Sequence, residues 1–384
     1  MGLPVYRIVI KEKDLTQMER QIWSDKFVPA TFTDGNGTQP VQIRYRGGHT
    51  REYPKRSYEI QTSRLTYHFN AEHDDPSLLR NALSFHFFNE IGVPAPSTKH
   101  CVLQINGVIQ GVYLRIEAVN QTFFRVRKIP VRSIIYAVND NATFELKDVN
   151  TEKPKSSLFS GYSLMKGTGE DRLRLTGFIR NIHSKRGIAL QRYLNGRLYM
   201  DNYLKWLSGA VLTGNYDGFR QNYTIFEYKK RRAYGFLPWD YEGTWGRNCY
   251  GKAVASDLVK LKGDNRLTAK VMAYRAYRKQ YKQRLEHILA TSFTSQKLMP
   301  VVKKMHRQIE EDVYRDPKYK WPASQHVCLR AGGHPGLHRR QAQCYPARAA
   351  QSMKPGRRTK RRHLQPKMCN GQMSFQLVLQ QFLI

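Results

Sequence analysis

The residues best suited to chemistry lie on two short segments that flank a predicted β-hairpin. Asp217 and Asn222 stand before it, in Asn-Tyr-Asp-Gly-Phe-Arg-Gln-Asn-Tyr, and Asp240 follows it in Pro-Trp-Asp-Tyr-Glu-Gly. A hairpin brings its two ends together, so oxygen-bearing side chains before and after it can converge on one cleft. Glu242, on the same short loop as Asp240, is a further possible ligand there.

Phosphoryl transfer is the chemistry that this pattern favours. It needs oxygen ligands for Mg²⁺ and a carboxylate that orients and deprotonates the attacking hydroxyl. Protein kinases separate the base Asp from a metal-binding Asn by five positions, and Asp217 and Asn222 are five positions apart. We therefore predict Asp217 as the catalytic residue, with Asn222, Asp240 and Glu242 as metal ligands. Taken singly, the Asp-Gly pair is also typical of a turn, and Asp240 of a buried acid that backbone donors satisfy.

A kinase-like site also needs a cation for the nucleotide phosphates, and the candidates lie near the start of the chain. Lys55 enters a predicted strand, as the strand-borne lysine of kinases does, with Arg46 and Arg51 as alternatives. A lysine that alternates with aromatic residues is equally typical of a solvated strand face. The nearest glycine turn is Arg-Gly-Gly-His rather than Gly-x-Gly-x-x-Gly, which counts against an ordinary protein kinase. A helix predicted over 75–90 would take the place of the kinase helix whose Glu pairs with the lysine, but Glu90 lies at its far end and no partner is assigned.

Hydrophobic periodicity divides the chain into a strand-rich part followed by a helix-rich part. Strands predominate in the first part, with helices over 13–24 and 75–90, and Asn106-Gly107 predicts a hairpin turn. The later part is predicted as helical, apart from the hairpin on either side of the basic turn 229–232. This pattern predicts an α+β fold in two lobes. The predicted boundaries are 1–138 for a strand-rich N-lobe, 139–170 for an inter-lobe loop, 171–320 for a helical C-lobe and 321–384 for a basic tail.

The composition of the chain indicates which classes of binding partner and which cellular compartment to expect. The 64 Lys and Arg against 30 Asp and Glu give a net charge of +34, which favours phosphorylated partners. These cations are mixed with aromatic and acidic residues rather than gathered on one face, so dedicated nucleic-acid binding is not predicted. No apolar stretch approaches the roughly 18–20 residues of a membrane span, and the chain starts without a secretory signal, so we expect synthesis in the cytoplasm. Five cysteines without a Cys-x-x-Cys spacing exclude a disulfide framework and a zinc ribbon.

The final segment, 321–384, differs from the rest of the chain. It contains 11 Lys and Arg and no Asp or Glu, and little apolar periodicity. Two interpretations stay open: a displaced reading frame, or a genuine basic arm that binds polyanions.

Several motifs recur in a characteristic order along the chain. They are Arg-Gly-Gly-His at 46–49, Asn-Ala-Glu-His-Asp-Asp-Pro-Ser-Leu-Leu-Arg-Asn at 70–81, Gly-Val-Tyr-Leu-Arg-Ile-Glu at 111–117, Asn-Tyr-Asp-Gly-Phe at 215–219 and Pro-Trp-Asp-Tyr-Glu-Gly-Thr-Trp-Gly-Arg at 238–247. Together they resemble the spore coat protein H family, CotH, of spore-forming Bacilli. The similarity runs from about Leu3 to Lys320.

The resemblance implies an atypical protein-kinase-like bilobal fold and ATP-dependent, Mg²⁺-assisted phosphorylation of serines. The implied partners are spore coat proteins with Ser-Lys-Arg-rich repeats, and the implied location is the mother-cell cytoplasm and then the spore coat. By position, Asp217 would be the catalytic acid and Asp240 the metal-binding acid, while Glu242 stands where the family more often has an aspartate. Glu117 would lie where the kinase hinge meets adenine, or would be a structural ion-pair acid. The alternatives are a catalytically inactive kinase-like coat scaffold and a polyanion-binding protein.

Overall fold

The computed structural model describes residues 2–255 and 257–322 of the chain. The predictions made for the tail beyond residue 322 lie outside the described residues.

Seven strands close into a barrel in the order β1-β2-β3-β4-β5-β7-β6. Residues of β1 alternate between exposed and buried, so that Tyr6, Ile8 and Ile10 face the barrel interior. The strand closes the barrel by pairing antiparallel to β2 and parallel to β6. The bounds are β1 Val5–Ile10, β2 Val28–Asp34, β3 Gly37–Arg46, β4 Ser57–Gln61, β5 Thr66–Asn70, β6 Thr98–Ile105 and β7 Val108–Glu117, with α1 Glu12–Arg20 and α2 Arg80–Glu90 in the connections.

The Asn106-Gly107 turn joins β6 to β7, as the sequence predicts. Both residues have positive φ angles, 48° and 82°, the backbone geometry that this dipeptide favours in a tight hairpin. The Asn106 side chain also accepts a hydrogen bond from the Ile10 amide at 2.8 Å and donates one to the Ile10 carbonyl at 2.9 Å. The turn thereby also holds the end of β1.

A second, four-stranded sheet has the order β11-β10-β8-β9. The strand β8, predicted as part of the strand-rich N-lobe, pairs here with the later hairpin. Part of 139–170, predicted as loop, forms the edge strand β9, where only Tyr162 is buried and the alternation is therefore weak. The bounds are β8 Val131–Ala137, β9 Tyr162–Lys166, β10 Tyr223–Tyr228 and β11 Tyr234–Pro238.

Helices pack around this sheet, with α6 at their centre. Trp206 of α6 is fully buried, and its ring lies 5.7 Å from that of Tyr223 and 5.1 Å from that of Phe236. These contacts fix the β10–β11 hairpin against the helical core. The bounds are α3 Gln121–Val126, α4 Gly169–Ser184, α5 Gly187–Arg197, α6 Met200–Thr213, α7 Arg266–Met272, α8 Arg275–Thr291 and α9 Ser295–Tyr314.

Two predicted helices are shorter than expected, for different reasons. The carboxylate of Asp75 accepts hydrogen bonds from the amides of Ser77 at 2.9 Å and Arg80 at 2.8 Å, so 75–79 form a turn that precedes α2. The helix predicted over 13–24 ends at Arg20, and beyond its end the carbonyls of Ile22 and Ser24 accept hydrogen bonds from the side chain of Arg51.

The mixed α+β class is confirmed, whereas the bilobal kinase-like fold stays a prediction. Within residues 2–255 and 257–322, no helix has the length and apolarity needed to cross a bilayer.

Candidate active site

A polar cleft of about 520 Å³ lies where the barrel faces the ends of the β10–β11 hairpin. A larger cavity of about 1080 Å³ lies beside α7 and contains none of the predicted site residues, so chemistry rather than size selects the cleft. The predicted residues that line the cleft are Arg46, Lys55, Asp217, Asn222, Asp240 and Glu242.

The hairpin brings Asn222 and Asp240 together. The amide of Trp239, directly before Asp240, donates to the Asn222 carbonyl at 3.2 Å, just beyond the last rung of the β10–β11 ladder. Asn222 and Asp240 have positive φ angles of 59° and 55°. Non-glycine residues in this region are strained and concentrate at functional sites. The two chain ends therefore enter one cleft side by side, each with a constrained backbone.

Asp217 stands on a short turn after α6, and its neighbours explain the Asn-x-Asp-Gly motif. The Asn215 side chain accepts from the Gly218 amide at 2.9 Å. A Cβ at Gly218 would come within 3.0 Å of the same asparagine, closer than nearly all real contacts of this kind. Asn215 and Gly218 thus fit each other, and the turn that they form presents Asp217 to the cleft.

The loop after β11 is fixed between two helices. The Tyr241 amide donates to the Asn81 side chain of α2 at 2.8 Å, and the Trp245 amide donates to the Thr213 carbonyl of α6 at 2.7 Å. The two acids of this loop therefore stand on a rigid support.

Like charges and burial perturb the acids of the cleft. The pKa of Asp217 is raised to about 6, first by burial and then by the charges of Asp240 and Asp140. Burial raises the pKa of Asp240 against the opposing effect of Arg46. Burial and Asp240 raise the pKa of Glu242 well above its ordinary value. The repulsion between closely spaced carboxylates of this kind decreases when a cation binds among them.

Glu72, on the loop after β5, lines the cleft but is not among the predicted site residues. It is 2% exposed and has a positive φ of 47°. One carboxylate oxygen accepts from Asn81 at 3.1 Å, while the other is buried without a hydrogen-bond partner among the described residues. Burial and the charge of Asp75 raise the Glu72 pKa to about 8. In the sequence, the position of Glu72 inside the 70–81 motif is the feature that could indicate a role in the site.

Lys55 lies just before β4 and is almost completely buried, at 2% exposure. Its ammonium donates to the Val112 carbonyl at 2.6 Å and to the Asp316 carboxylate at 2.7 Å. Burial lowers the Lys55 pKa, and Asp316 opposes that shift. The lysine's partner therefore comes from the segment after α9 and not from α2, where Glu90 is exposed.

Arg46 and Arg51, the other candidate cations, have different surroundings. Arg46 ends β3, donates to the Asn70 side chain and lies over the Trp239 ring at 5.6 Å, facing the cleft. Arg51 instead forms an ion pair with Asp25 at 2.6 Å, which is a structural contact outside the cleft lining.

Glu117 does not line the cleft. It forms an ion pair with Arg127 at 2.6 Å and accepts a hydrogen bond from the Ser97 amide at 3.1 Å. Burial alone would raise its pKa, but these bonds lower it. The contacts favour the ion-pair alternative, and an adenine contact stays a prediction.

The donor atoms of the cleft fit Mg²⁺ bound together with a nucleotide. No group of three or more His, Cys, Asp or Glu side chains within 2–255 and 257–322 is arranged to hold a metal alone. Mg²⁺ usually takes one or two protein carboxylates and completes its shell with water and substrate phosphates. The oxygen donors of Asp240 and Asn222 suit this mode, with Glu242 on the same loop.

Residues 43–332 match the family model described as CotH kinase protein. The chain belongs to the CotH family. It is 37% identical over 326 residues to the inner spore coat protein H of Bacillus subtilis (strain 168), covering 83% of this chain and 90% of the relative. A second CotH relative from that organism, the inner spore coat protein H-like protein, is 27% identical over 297 residues, covering 75% and 83%. These matches confirm the family resemblance.

A solved structure, the Helicobacter pylori proinflammatory kinase CtkA, matches 49% of this CotH chain and 55% of its own. The identity is 11% and the TM-score 0.26, which is too low to establish a common fold.

Proposed function

We propose that this CotH-family chain is an atypical protein kinase that transfers the γ-phosphate of ATP to serine residues of spore coat proteins. The observation that carries the proposal is the convergence of Asp217, Asn222 and Asp240 on one cleft at the ends of a hairpin. That is the arrangement that phosphoryl transfer requires of a base and its metal ligands.

Each residue has a stated role. Asp217 orients the serine hydroxyl and accepts its proton, and a pKa of about 6 leaves it mostly ionised at neutral pH. Asp240 and Asn222, with Glu242 on the same loop as Asp240, would hold Mg²⁺. The bound Mg²⁺ supplies charge neutralisation for the phosphates. Arg46 and Lys55 line the same cleft and would contact the nucleotide phosphates.

The acidic side chains of the cleft favour a basic peptide as the substrate. Within a chain of net charge +34, the cleft concentrates acidic side chains. A local negative potential of this kind attracts Lys- and Arg-rich peptides even where the rest of the surface repels them. The aspartates that line it are Asp74, Asp140, Asp217 and Asp240. Burial raises the pKa values of Glu72 and Glu242, so these two acids add less to the negative potential.

The relatives' names motivate the coat proteins as partners. A CotH kinase would be made in the mother-cell cytoplasm and retained in the coat, where Ser-Lys-Arg-rich repeats are its substrates. The second candidate is an inactive kinase-like scaffold, which is favoured by one observation: two protein acceptors already engage the Lys55 ammonium.

Transfer from γ-labelled ATP to a Ser-Lys-Arg peptide separates the two candidates. We expect label on serine with the wild-type chain and with Asp264→Asn, a surface control for the same charge change. Asp217→Asn and Asp240→Asn should each lose at least about 100-fold in rate. Equal labelling by all four proteins would contradict the assigned residues, and an inactive wild type would favour the scaffold.

A further inference from the structure

The segment 316–321, which we call the C-terminal strap, runs from the end of α9 across the barrel to the cleft. Its first residue, Asp316, accepts from Lys55 at 2.7 Å and from the Val112 amide of β7 at 2.8 Å. Farther along, Lys320 pairs with Asp74, and the Trp321 indole donates to the His73 carbonyl at 3.2 Å. Lys55, Asp74 and His73 all line the cleft, so the strap forms its outer support.

The Lys55–Asp316 pair is buried on both sides, with side-chain exposures of 2% and 0%. Burial of two charges is costly unless they are paired and hydrogen-bonded, as they are here. An ammonium has three N–H donors. Among the described residues, Val112 and Asp316 accept two of them, which leaves one for a ligand in the cleft.

The barrel is shaped to receive the Asp316 carboxylate. Gly111 of β7 has a positive φ of 112°, and a Cβ at this position would overlap the carboxylate. The next amide, that of Val112, donates to it. Gly111 and Val112 of β7 thus form the binding site for the side chain of Asp316, which follows α9 in the chain.

We propose that Asp316 is the positioning residue for Lys55, so that the C-terminal strap supplies the carboxylate that kinases take from a helix. The inference rests on the proposed kinase function. Asp316 keeps the lysine charged and aimed at the nucleotide phosphates. Without that carboxylate, Lys55 would be buried with one carbonyl acceptor, a setting that favours the neutral amine.

A pH profile distinguishes this role from simple support of the fold. The titratable groups that face Lys55 are Asp316 on the strap, Glu72 and His73 after β5, Cys101 on β6 and Tyr113 on β7. Asp316 is the carboxylate hydrogen-bonded to Lys55, so its neutralisation should let Lys55 lose its proton at a lower pH. Nucleotide affinity should then fall as pH rises, over a range where the wild type is unaffected.

The test measures KM for ATP, kcat and thermal unfolding on full-length variants between pH 6.5 and 9. Asp316→Asn should raise KM at least about tenfold and add the alkaline loss. Asp312→Asn is the matched control, because the Asp312 carboxylate also joins the C-terminal part to the barrel, through the Leu3 amide at 2.8 Å, whereas the ion pair of Lys55 is with Asp316. It should leave KM and the pH profile unchanged.

Two further variants keep the test decisive. Lys55→Met with Asp316→Asn should be no worse in KM than Lys55→Met alone, because Asp316 acts through the lysine. Gly111→Ala keeps both charges but displaces the carboxylate, and should raise KM as well. A normal KM in Gly111→Ala, or an Asp316→Asn effect that persists without Lys55, overturns the inference.

Different experimental results would contradict the positioning role of Asp316 and the proposed kinase function. If the wild type transfers phosphate and Asp316→Asn behaves like Asp312→Asn, the kinase assignment stands and the positioning role falls. A wild type that neither binds ATP nor transfers phosphate overturns both.

Discussion

At the scale of single residues, the cleft concentrates acids that burial and mutual repulsion make harder to ionise. The pKa of Asp217 is raised to about 6. The pKa values of Asp240 and Glu242 are also raised, and no neighbouring cation among the described residues fully compensates for the shift. A catalytic base gains from this because its pKa then lies near the working pH. A metal site gains because the repulsion is released when the cation binds.

The pH dependence of phosphoryl transfer should report Asp217 directly. The carboxylate must be ionised to accept a proton, so kcat/KM should rise with pH and reach half its plateau near 6. Asp140, an exposed acid on the cleft rim, contributes to the raised pKa, so Asp140→Asn should move that midpoint to lower pH. Glu286→Gln, on the exposed side of α8, is the charge-matched control. A midpoint that Asp140→Asn leaves in place would argue against Asp217 as the titrating base.

Removal of the Asp217 charge should also stabilise the fold. A carboxyl whose folded pKa is raised costs stability once it ionises, and the cost grows from the unfolded pKa near 4 up to the folded value of about 6. Asp217→Asn should therefore gain about 2 kcal/mol at pH 8 and almost nothing at pH 4. Urea unfolding at the two pH values measures this, and an equal effect at both would show that burial of the charge is not the cause.

At the scale of elements, the β10–β11 hairpin and α2 together hold the candidate metal ligands. The hairpin sets Asn222 beside Trp239, and Asn81 of α2 accepts from the Tyr241 amide while donating to Glu72. Asn81 is fully buried. One asparagine thus connects α2, the loop that carries the candidate ligands Asp240 and Glu242, and the unassigned acid Glu72.

Asn81→Ala should uncouple these elements. The change leaves the Tyr241 amide and the Glu72 carboxyl without their partner, which should cost about 2 kcal/mol of stability. Because the loop that carries Asp240 loses its support, kcat should fall as well. Asn89→Ala is the control: Asn89 also makes side-chain hydrogen bonds on α2, to Phe85 and Ala95 backbone atoms, but outside the cleft. If both variants lose activity equally, helix stability rather than loop position decides the rate.

Features encoded within a few neighbouring residues could be predicted from the sequence. The hairpin ends and the Asn106-Gly107 turn follow from local turn chemistry, and their location is as predicted. The start of α2 at Arg80 does not follow from the sequence pattern, because the Asp75 side chain competes for the amides of the predicted first turn. The partner of Lys55 could not be found, because Asp316 lies 261 residues away and only the folded barrel brings them together.

At the scale of the whole molecule, an acidic cleft lies within a strongly basic protein. Charge of one sign would bind the basic peptide and charge of the other would hold the phosphorylated product, with both effects screened by salt. The exposed turn 229–232, which is basic throughout, lies at the opposite end of the β10–β11 hairpin from the cleft. Under the proposed function, modification in the cleft and retention of the product at this turn would take place on separate surfaces.

Neutralisation of this turn should affect retention alone. Replacement of all four residues of 229–232 by Gln should weaken binding to phosphorylated Ser-Lys-Arg-rich protein, because phosphate contacts are lost. The kcat/KM on a free peptide should stay at the wild-type value, since the cleft is unchanged. Pull-down of phosphorylated and unphosphorylated protein at two salt concentrations measures the effect. Undiminished retention would refute a role for this surface.

The central claim is that residues at the two ends of one hairpin bind a divalent ion beside the nucleotide. A crystal structure of the full chain with Mn²⁺ and a non-hydrolysable ATP analogue tests it most directly, because anomalous scattering locates the metal. The account predicts a Mn²⁺ peak in the cleft, within about 2.3 Å of oxygens of Asp240 and Asn222 and of a phosphate, with Asp217 facing the γ-phosphate. A metal and nucleotide bound elsewhere, such as in the larger cavity beside α7, would contradict it.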